Sequence, residues 1–299
     1  MKRASEKSDS ERPCGETDLR RFVTRLLVLA CLLLTQHCHI KPPSGRPFHI
    51  INLSLPRTAT TSFSGIFDRF PSTHEFLISA TINALLDFRE KKISRGQLRE
   101  FLLRRDRQAG HYVDSATFFF LEPELLIDTF PEARFFLSVR DCESWVASMA
   151  DISVLSHRLQ ARGAKTVDLR FLRRFSRVFF TKYSPAIFLE AAKLRSEAGR
   201  IVHDLASAWE IHVARGLRAL HTVEPERKLI IETVRFNDSV PRIAHLAGLS
   251  VSDLNLEKMH MNKDRDLSGH RSILGPQRIY SECNPRQKRI DALLSGAAF

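Results

Sequence analysis

The chain has 299 residues, 43% of them hydrophobic, and its mean hydropathy of -0.19 is ordinary for a soluble globular protein with a sizeable core. Its net charge of +12 favours an anionic partner such as a nucleotide, a polyanionic glycan, nucleic acid or an acidic membrane. The five cysteines form no CxxC pair, which argues against a zinc site or a dense disulfide framework but leaves room for one disulfide.

The first 47 residues are predicted to precede the folded domain. Residues 1–21 are polar and of mixed charge, and we expect a disordered tail. Residues 22–35 are mostly apolar, with arginines on their N-terminal side, and fit a signal peptide or a short signal anchor. The alternative is an amphipathic helix lying on the domain, because a membrane span needs about 20 apolar residues. Residues 36–47 contain Pro, Gly and Ser and are predicted to be a linker, which leaves residues 48–299 for the domain.

Apolar runs that alternate with amphipathic stretches predict strands separated by helices. Strands are predicted at His49–Leu55, Glu132–Asp141 and Arg227–Val234. Helices are predicted at Thr60–Arg69, His74–Lys92, Arg95–Arg107, Glu143 to about Leu155, 185–220 and Ser239–Leu249. Because long helices separate the strands, the pattern indicates an α/β fold with a parallel β-sheet flanked by crossover helices.

The loop after the first strand combines a cation with hydroxyl groups. In LPRTATTS, Arg57 is followed by Thr58, Thr60, Thr61 and Ser62. N–H groups at a helix start favour an anion, and a guanidinium adds a permanent, forked cation. The pattern predicts a phosphate site, although helix capping by Thr58 or Thr60 explains the hydroxyls equally well. The loop lacks the glycines and the Lys-Ser/Thr pair of a Walker A motif, which disfavours a nucleoside or sugar kinase.

A second strand ends in a similar way. Arg140 lies at the end of the predicted strand Glu132–Asp141, and Ser148 follows eight residues later, about two turns into the next helix. The two side chains could converge on a second phosphate, whereas the alternative is a surface turn followed by a polar helix face. Ligands of open α/β sheets bind at the carboxyl ends of strands, so two such segments favour a site for a nucleotide.

The two segments LPRTATTS and FPEARFFLSVRDCESWVASM together resemble the sulfotransferases that use 3′-phosphoadenosine-5′-phosphosulfate. The first is similar to that family's 5′-phosphosulfate loop, P-[KR]-[ST]-G-T-T-[SW]. The second is similar to its 3′-phosphate motif, R-D-P-x-x-W-x-x-S, through Arg140, Asp141, Trp145 and Ser148. The resemblance runs from about residue 48 to about residue 285 and includes the HEF segment of a bacterial-type branch. It implies a P-loop NTPase-like sulfotransferase fold.

Three residues depart from these motifs. Ala59 stands where glycine is usual, and a positive φ there would cost of order 1 kcal/mol. Cys142 replaces a proline, and Arg57 replaces the more common lysine while keeping its charge.

The resemblance implies roles for the matching residues. Arg57 would bind the donor and would also act in catalysis, by stabilising the oxygen that bridges the sulfuryl group and the 5′-phosphate. Arg140 and Ser148 would hold the 3′-phosphate. The implied donor-binding residues are Arg57, Thr58, Ala59, Thr60, Thr61, Ser62, Arg140 and Ser148.

Residues downstream of the loop are candidates for the acceptor side. Family members use a His or a Glu as general base, and His74 and Glu75 are the candidates here, with Glu75 preferred. The alternative is that His74 packs at a helix start and Glu75 complements the helix dipole. Asp114 and Ser115 are expected to be acceptor-site groups, and His111 is a further candidate. No metal is expected.

The resemblance implies transfer of a sulfuryl group to a hydroxyl or amine, with a carbohydrate or a small metabolite as acceptor. The basic segment His157–Lys182 could be a solvated helix face or a groove for an anionic glycan or an acidic membrane. No nucleic-acid recognition module is found. The alternative function is a catalytically weak protein that binds polyanions or nucleotides on the same fold, which Ala59 and the basic surface would suit.

The expected compartment depends on residues 22–35. The donor is made in the cytosol and imported into the Golgi lumen of eukaryotic cells, so a signal anchor implies a type II Golgi membrane protein. The alternative is a cytoplasmic enzyme. The glycosylation sequon at Asn237 matters only in the secretory pathway, and a second at Asn52 lies in a predicted core strand.

Overall fold

The computed structural model describes residues 46–161, 179, 196–260 and 274–296, which belong to a unit running from Pro42 to Phe299. The predicted tail, the apolar segment, most of the linker and most of the basic segment His157–Lys182 lie outside the described residues. Among the helices of the described ranges, none combines the length and the apolar character that crossing a membrane requires.

One parallel sheet of five strands organises the described part of the chain. The strands are β1 (Ile50–Asn52), β2 (Ser72–His74), β3 (Val113–Ser115), β4 (Arg134–Val139) and β5 (Lys228–Glu232). Their order across the sheet is β2-β3-β1-β4-β5, and every neighbouring pair is parallel. In the centre, Ile50 is in register with Val113 on one side and Arg134 on the other. The predicted parallel α/β fold is confirmed.

Eight α-helices connect and cover these strands within the described ranges. They are α1 (Thr60–Gly65), α2 (Ile78–Arg89), α3 (Arg95–Ala109), α4 (Pro123–Thr129), α5 (Cys142–Ala161), α6 (Ala198–His221), α7 (Val240–Ala247) and α8 (Pro276–Leu294). The helices α1, α3, α5 and α7 lie where the sequence predicts them. The sequence patterns do not predict β2, β3, α4 or α8.

Alternate residues of the central strands face two different cores, as the two-residue period of a strand requires. Ile51 and Phe135 face the larger core, which contains α2 to α6 and α8. Ile50 and Phe136 face the smaller core with α1 and α7. In the smaller core, Phe63 of α1 stacks on Phe136 with ring centroids 3.9 Å apart. This packing fixes α1, and with it the loop that precedes α1, at the carboxyl end of the sheet.

The prediction that a helix starts at His74 is wrong. His74 ends the edge strand β2 and is in register with Ser115 of β3. Glu75 (φ 70°) and Leu77 (φ 48°) then adopt left-handed conformations before α2 begins. Pairing with β3 satisfies the backbone groups of residues 72–74 that face β3, and it outweighs the helical periodicity of their side chains. His74 and Glu75 therefore lie at the end of a strand, next to the neighbouring strand ends.

A disulfide connects two helices of the larger core. Cys142 at the start of α5 is bonded to Cys283 on α8, with Cα atoms 5.4 Å apart, and both residues are buried. Beside it, the N–H of Cys142 donates to the side chain of Gln287 at 3.0 Å. The disulfide thus fastens α8 to the helix that begins two residues after Arg140.

Candidate active site

Residues at or after the carboxyl ends of the five strands line one cavity of about 520 Å³. The loop after β1 forms one wall. β2 ends in His74 and is followed by Glu75, while Thr117, Arg140 and Thr233 follow β3, β4 and β5 and line the same cavity. A ligand site outside the carboxyl ends of parallel strands is the usual arrangement in α/β folds.

The loop after β1 contains two residues in the left-handed conformation, Arg57 (φ 68°) and Ala59 (φ 62°). Ala59 is the N-cap of α1, and no side chain caps this helix. Helix capping by Thr58 or Thr60 is therefore not the reason for the hydroxyls. Ala59 therefore has the positive φ at which an alanine is strained. This strain costs of order 1 kcal/mol relative to glycine.

A buried tryptophan anchors this loop. Trp145 of α5 is fully buried, and its Nε1 donates to the carbonyl of Pro56 at 2.8 Å. Within the loop, the hydroxyl of Thr58 donates to the carbonyl of Leu55 at 2.6 Å. Thr58 is only 1% exposed and does not line the cavity, so its side chain supports the loop, whereas Thr60, Thr61 and Ser62 line the cavity.

The structure brings together the two arginines and the serine that the sequence singles out. Nε of Arg57 donates to Oγ of Ser148 at 2.8 Å, and Nη1 of Arg140 donates to the carbonyl of Arg57 at 3.2 Å. The carbonyl of Arg140 accepts from Nε1 of Trp209 on α6 at 2.9 Å. These hydrogen bonds join the loop after β1 to the end of β4 and to α5, and they place two guanidinium groups at one end of the cavity.

Arg140 is partly withdrawn from water. Burial lowers the pKa of Arg140 from its usual value, while the carboxylates of Asp141 and Asp151 raise it. A guanidinium keeps its proton at neutral pH in proteins. Arg140 is therefore a permanent cation in a partly dehydrated position, where an anionic ligand interacts more strongly than it would in bulk water.

The two candidate bases follow β2, which lies on the other side of β1 from β4 and Arg140. Nε2 of His74 lies 3.4 Å from the hydroxyl oxygens of both Thr60 and Thr61. Burial lowers the pKa of His74, against the carboxylate of Glu75, which raises it. The hydroxyl of Thr117 donates a hydrogen bond to Oε1 of Glu75. The cavity wall thus contains both cations and proton acceptors.

Asp114 and Ser115 lie inside the protein and not in the cavity wall. Asp114 is bound through both of its carboxylate oxygens by the buried guanidinium of Arg105. Oγ of Ser115 donates to the carbonyl of Thr60 at 3.1 Å and accepts from the amide of Asn52 at 2.9 Å. These contacts indicate that both side chains support the strand ends, in contrast to the acceptor-site role expected from the sequence.

His111 also stands outside the cavity wall, with its ring edge-on to Phe76 at 5.5 Å between centroids. Thr117 and Thr233, in contrast, line the cavity without having been expected there. Oγ1 of Thr233 shares a hydrogen bond of 2.7 Å with Oγ of Ser138. Thr117 lies two residues after β3, and Thr233 lies one residue after β5. The position of Thr233 could have been predicted, because the sequence predicts β5.

In the described part of the chain, no group of three or more His, Cys, Asp or Glu side chains could hold a metal ion.

The chain is similar to one protein family and to solved structures. A family model described as a sulfotransferase domain matches residues 49–232, more than half of the chain. Among solved structures, a sulfotransferase from Alicyclobacillus acidocaldarius is similar over 83% of this chain and 96% of that chain, with 13% sequence identity and a TM-score of 0.46. No curated protein matches the sequence.

Proposed function

The chain belongs to the sulfotransferase domain family, and on that premise we propose that its cavity binds 3′-phosphoadenosine-5′-phosphosulfate and that the enzyme transfers the sulfuryl group to a hydroxyl or an amine. One observation carries the proposal. Arg57, Arg140 and Ser148 come from two distant segments, yet hydrogen bonds join them, and both arginines line the cavity.

The groups at this end of the cavity fit a donor with two phosphates. When bound, the donor supplies a sulfuryl group on its 5′-phosphate and carries a second phosphate at the 3′ position. Arg57 and the N–H groups of residues 58–62 would hold the phosphosulfate, since the first N–H groups of a helix have no partner within it. Arg140 and Ser148 would hold the 3′-phosphate. That second contact would distinguish the donor from AMP or ATP.

The arrangement of charges supports an in-line transfer. The acceptor oxygen or nitrogen would bond to sulfur while the bond from sulfur to the bridging oxygen breaks, and the electron pair of that bond would stay on the 5′-phosphate. Arg57 would neutralise the charge that develops on the bridging oxygen. The acceptor would lose its proton to Glu75, because Nε2 of His74 already faces the hydroxyls of the donor loop, while Thr117 holds the carboxylate of Glu75 in the cavity wall.

The size of the cavity bears on the acceptor. A volume of about 520 Å³ lies within the range of small-ligand pockets. We therefore propose an acceptor that presents one hydroxyl or amine, such as one unit of a carbohydrate or a small metabolite.

Isothermal titration of the full-length protein with adenosine 3′,5′-bisphosphate, the nucleotide product, tests the donor site, and AMP is the control ligand. We expect the bisphosphate to bind more tightly than AMP. Arg140→Ala should weaken its binding by about 10- to 100-fold, since a hydrogen bond to a charged group contributes about 1.5–3 kcal/mol. The matched control is Arg242→Ala, an exposed arginine on α7 whose loss removes the same charge. Equal binding of AMP, or an unchanged affinity in Arg140→Ala, would refute the donor assignment and favour a general polyanion site.

We further propose that the domain works in the Golgi lumen, with the cytoplasm as the alternative. The disulfide between Cys142 and Cys283 supports this compartment, because disulfides persist mainly in oxidising compartments. Asn237 is exposed in the turn before α7 and accessible to a glycan, whereas Asn52 is 1% exposed in β1. In secretory cells the full chain should show a glycosidase-sensitive gel shift that Asn237→Gln removes. Absence of the shift together with free Cys142 and Cys283 thiols would favour the cytoplasm.

A further inference from the structure

A threonine that no family motif contains makes the closest polar contact to one of the two candidate bases. Thr117 follows β3 by two residues, is 7% exposed and lines the cavity. Its hydroxyl donates to Oε1 of Glu75, which follows β2 on the neighbouring strand. The hydrogen bond therefore ties the ends of two adjacent strands in the wall of the cavity.

Glu75 needs such a support because its backbone is held in an unusual conformation. Its φ of 70° lies in the left-handed region, which costs a residue other than glycine of order 1 kcal/mol and persists only where the surroundings impose it. One support acts on the backbone of the next residue, Phe76. The guanidinium of Arg105 donates to the carbonyl of Phe76 through Nη2 at 2.8 Å and Nε at 3.2 Å, while Asp114 holds Arg105 in place.

The contact with Thr117 acts on the side chain instead. A carboxylate with a fixed donor on one oxygen has fewer rotamers, so its second oxygen faces a defined direction. A threonine is suited to this task because its β-branched side chain restricts χ1.

We propose that Thr117 is a positioning residue that holds the carboxylate of Glu75 toward the acceptor's proton. The catalytic part of this proposal rests on the proposed function. The effect of Thr117 on Glu75 can be measured without the sulfuryl donor or the acceptor.

The test is an NMR measurement of the Glu75 carboxyl carbon at one neutral pH in full-length protein labelled with ¹³C at glutamate side chains, with the signal assigned by Glu75→Gln. In Thr117→Val, which keeps the shape and removes the donor, the Glu75 signal should move away from its wild-type position, because the carboxylate loses its fixed donor. Thr117→Ser should restore the wild-type signal. The matched control is Thr129→Val on α4, which removes another buried hydroxyl for which no hydrogen bond is found in the described residues.

The proposal is overturned if the Glu75 signal is the same in wild type and Thr117→Val, or if Thr129→Val moves it equally. A change in thermal stability without a change in the Glu75 signal would also overturn it, because that result indicates a purely structural hydroxyl. Titration of the same samples with adenosine 3′,5′-bisphosphate separates the two proposals. We expect Thr117→Val to keep the wild-type affinity, and a wild type that does not bind the nucleotide would refute the donor assignment while leaving the effect of Thr117 on Glu75 measurable.

Discussion

At the scale of single residues, backbone strain is concentrated around the cavity. Of the residues other than glycine that have a positive φ in the described ranges, Arg57, Ala59 and Glu75 all line it. Ala59 is the clearest case, because its methyl group occupies a left-handed N-cap position where glycine would be unstrained. Strained residues persist where the surrounding structure imposes them, and here the anchors are Trp145 and the first turn of α1.

The strain at Ala59 predicts an unusual stabilising substitution. Ala59→Gly should raise the free energy of unfolding by about 0.5–1 kcal/mol, because relief of the positive φ outweighs the added flexibility of the unfolded chain. The control is Ala80→Gly, an exposed position within α2, which should lower the free energy of unfolding by about the same amount. Urea denaturation measures both, and a loss of stability in Ala59→Gly comparable to that in Ala80→Gly would contradict the account of this loop.

Single residues also differ in how far the sequence predicts their position. Arg140 follows β4 directly, Arg57 lies in the loop after β1, and Ser148 lies about two turns after Arg140 in α5. A local pattern is therefore enough to expect them at one edge of the sheet. Asp114 also follows an apolar residue in a strand, but its carboxylate is bound by Arg105, which lies on the preceding helix. Nothing in the spacing of these two residues indicates that pairing, because it depends on how α3 packs against β3.

At the scale of secondary-structure elements, end signals are more informative than periodicity. The start of α3 is predictable because Ser94 and Gln97 form a capping box, and the end of α7 is marked by Gly248 with φ 73°. β2 and β3 are three residues long and contain polar side chains. Strands this short give almost no alternation, and only pairing with neighbours defines them. The position of Glu75 therefore required the structure.

The link between α5 and α8 leads to a prediction at the same scale. A disulfide between residues 142 and 283 closes most of the second half of the chain into one loop, which limits the freedom of the unfolded state. Replacing Cys142 and Cys283 together by serine should lower the free energy of unfolding by about 2–5 kcal/mol, measured in guanidinium chloride. Reductant should destabilise the wild type similarly and leave the double variant unchanged. A wild type insensitive to reductant would contradict the prediction.

At the scale of the whole molecule, the sheet order brings five strand ends to one cavity while the helices bury both faces of the sheet. The larger core includes an ionisable residue in its packing, His212 of α6. Its ring stacks on Phe179 at 5.1 Å between centroids and lies edge-on to Phe120 at 4.8 Å, and its Nε2 donates to the carbonyl of Phe179 at 3.0 Å. Burial lowers the pKa of His212 to about 4.

This histidine predicts a pH dependence of stability. Between pH 6.5 and about 4 the unfolded chain binds a proton at His212 that the folded chain does not, so the folded state loses stability as the pH falls. Relative to His212→Phe, which cannot titrate, the wild type should lose about 2–3 kcal/mol of unfolding free energy between pH 7 and pH 4.5. Urea denaturation at both pH values measures the difference.

The comparison with a variant is needed because a second buried group acts in the opposite direction. Burial raises the pKa of Glu122 to about 7, against the neighbouring Arg89, so the folded state gains stability as this carboxyl takes up its proton between pH 7 and pH 4.5. The contribution of Glu122 cancels in the difference between wild type and His212→Phe. As a control, His245→Phe, at an exposed histidine on α7, should follow the wild-type profile. A difference between wild type and His212→Phe that is independent of pH would contradict the prediction.

The central claim is that one cavity, built from the ends of five strands, holds a nucleotide by its 3′- and 5′-phosphates. A crystal structure of the protein with adenosine 3′,5′-bisphosphate tests this claim most directly. The account predicts the 3′-phosphate within hydrogen-bonding distance of Arg140 and Ser148, the 5′-phosphate against the loop from Arg57 to Ser62, and Glu75 facing the side from which an acceptor would attack. A nucleotide bound outside this cavity, or one whose 3′-phosphate contacts neither Arg140 nor Ser148, would contradict it.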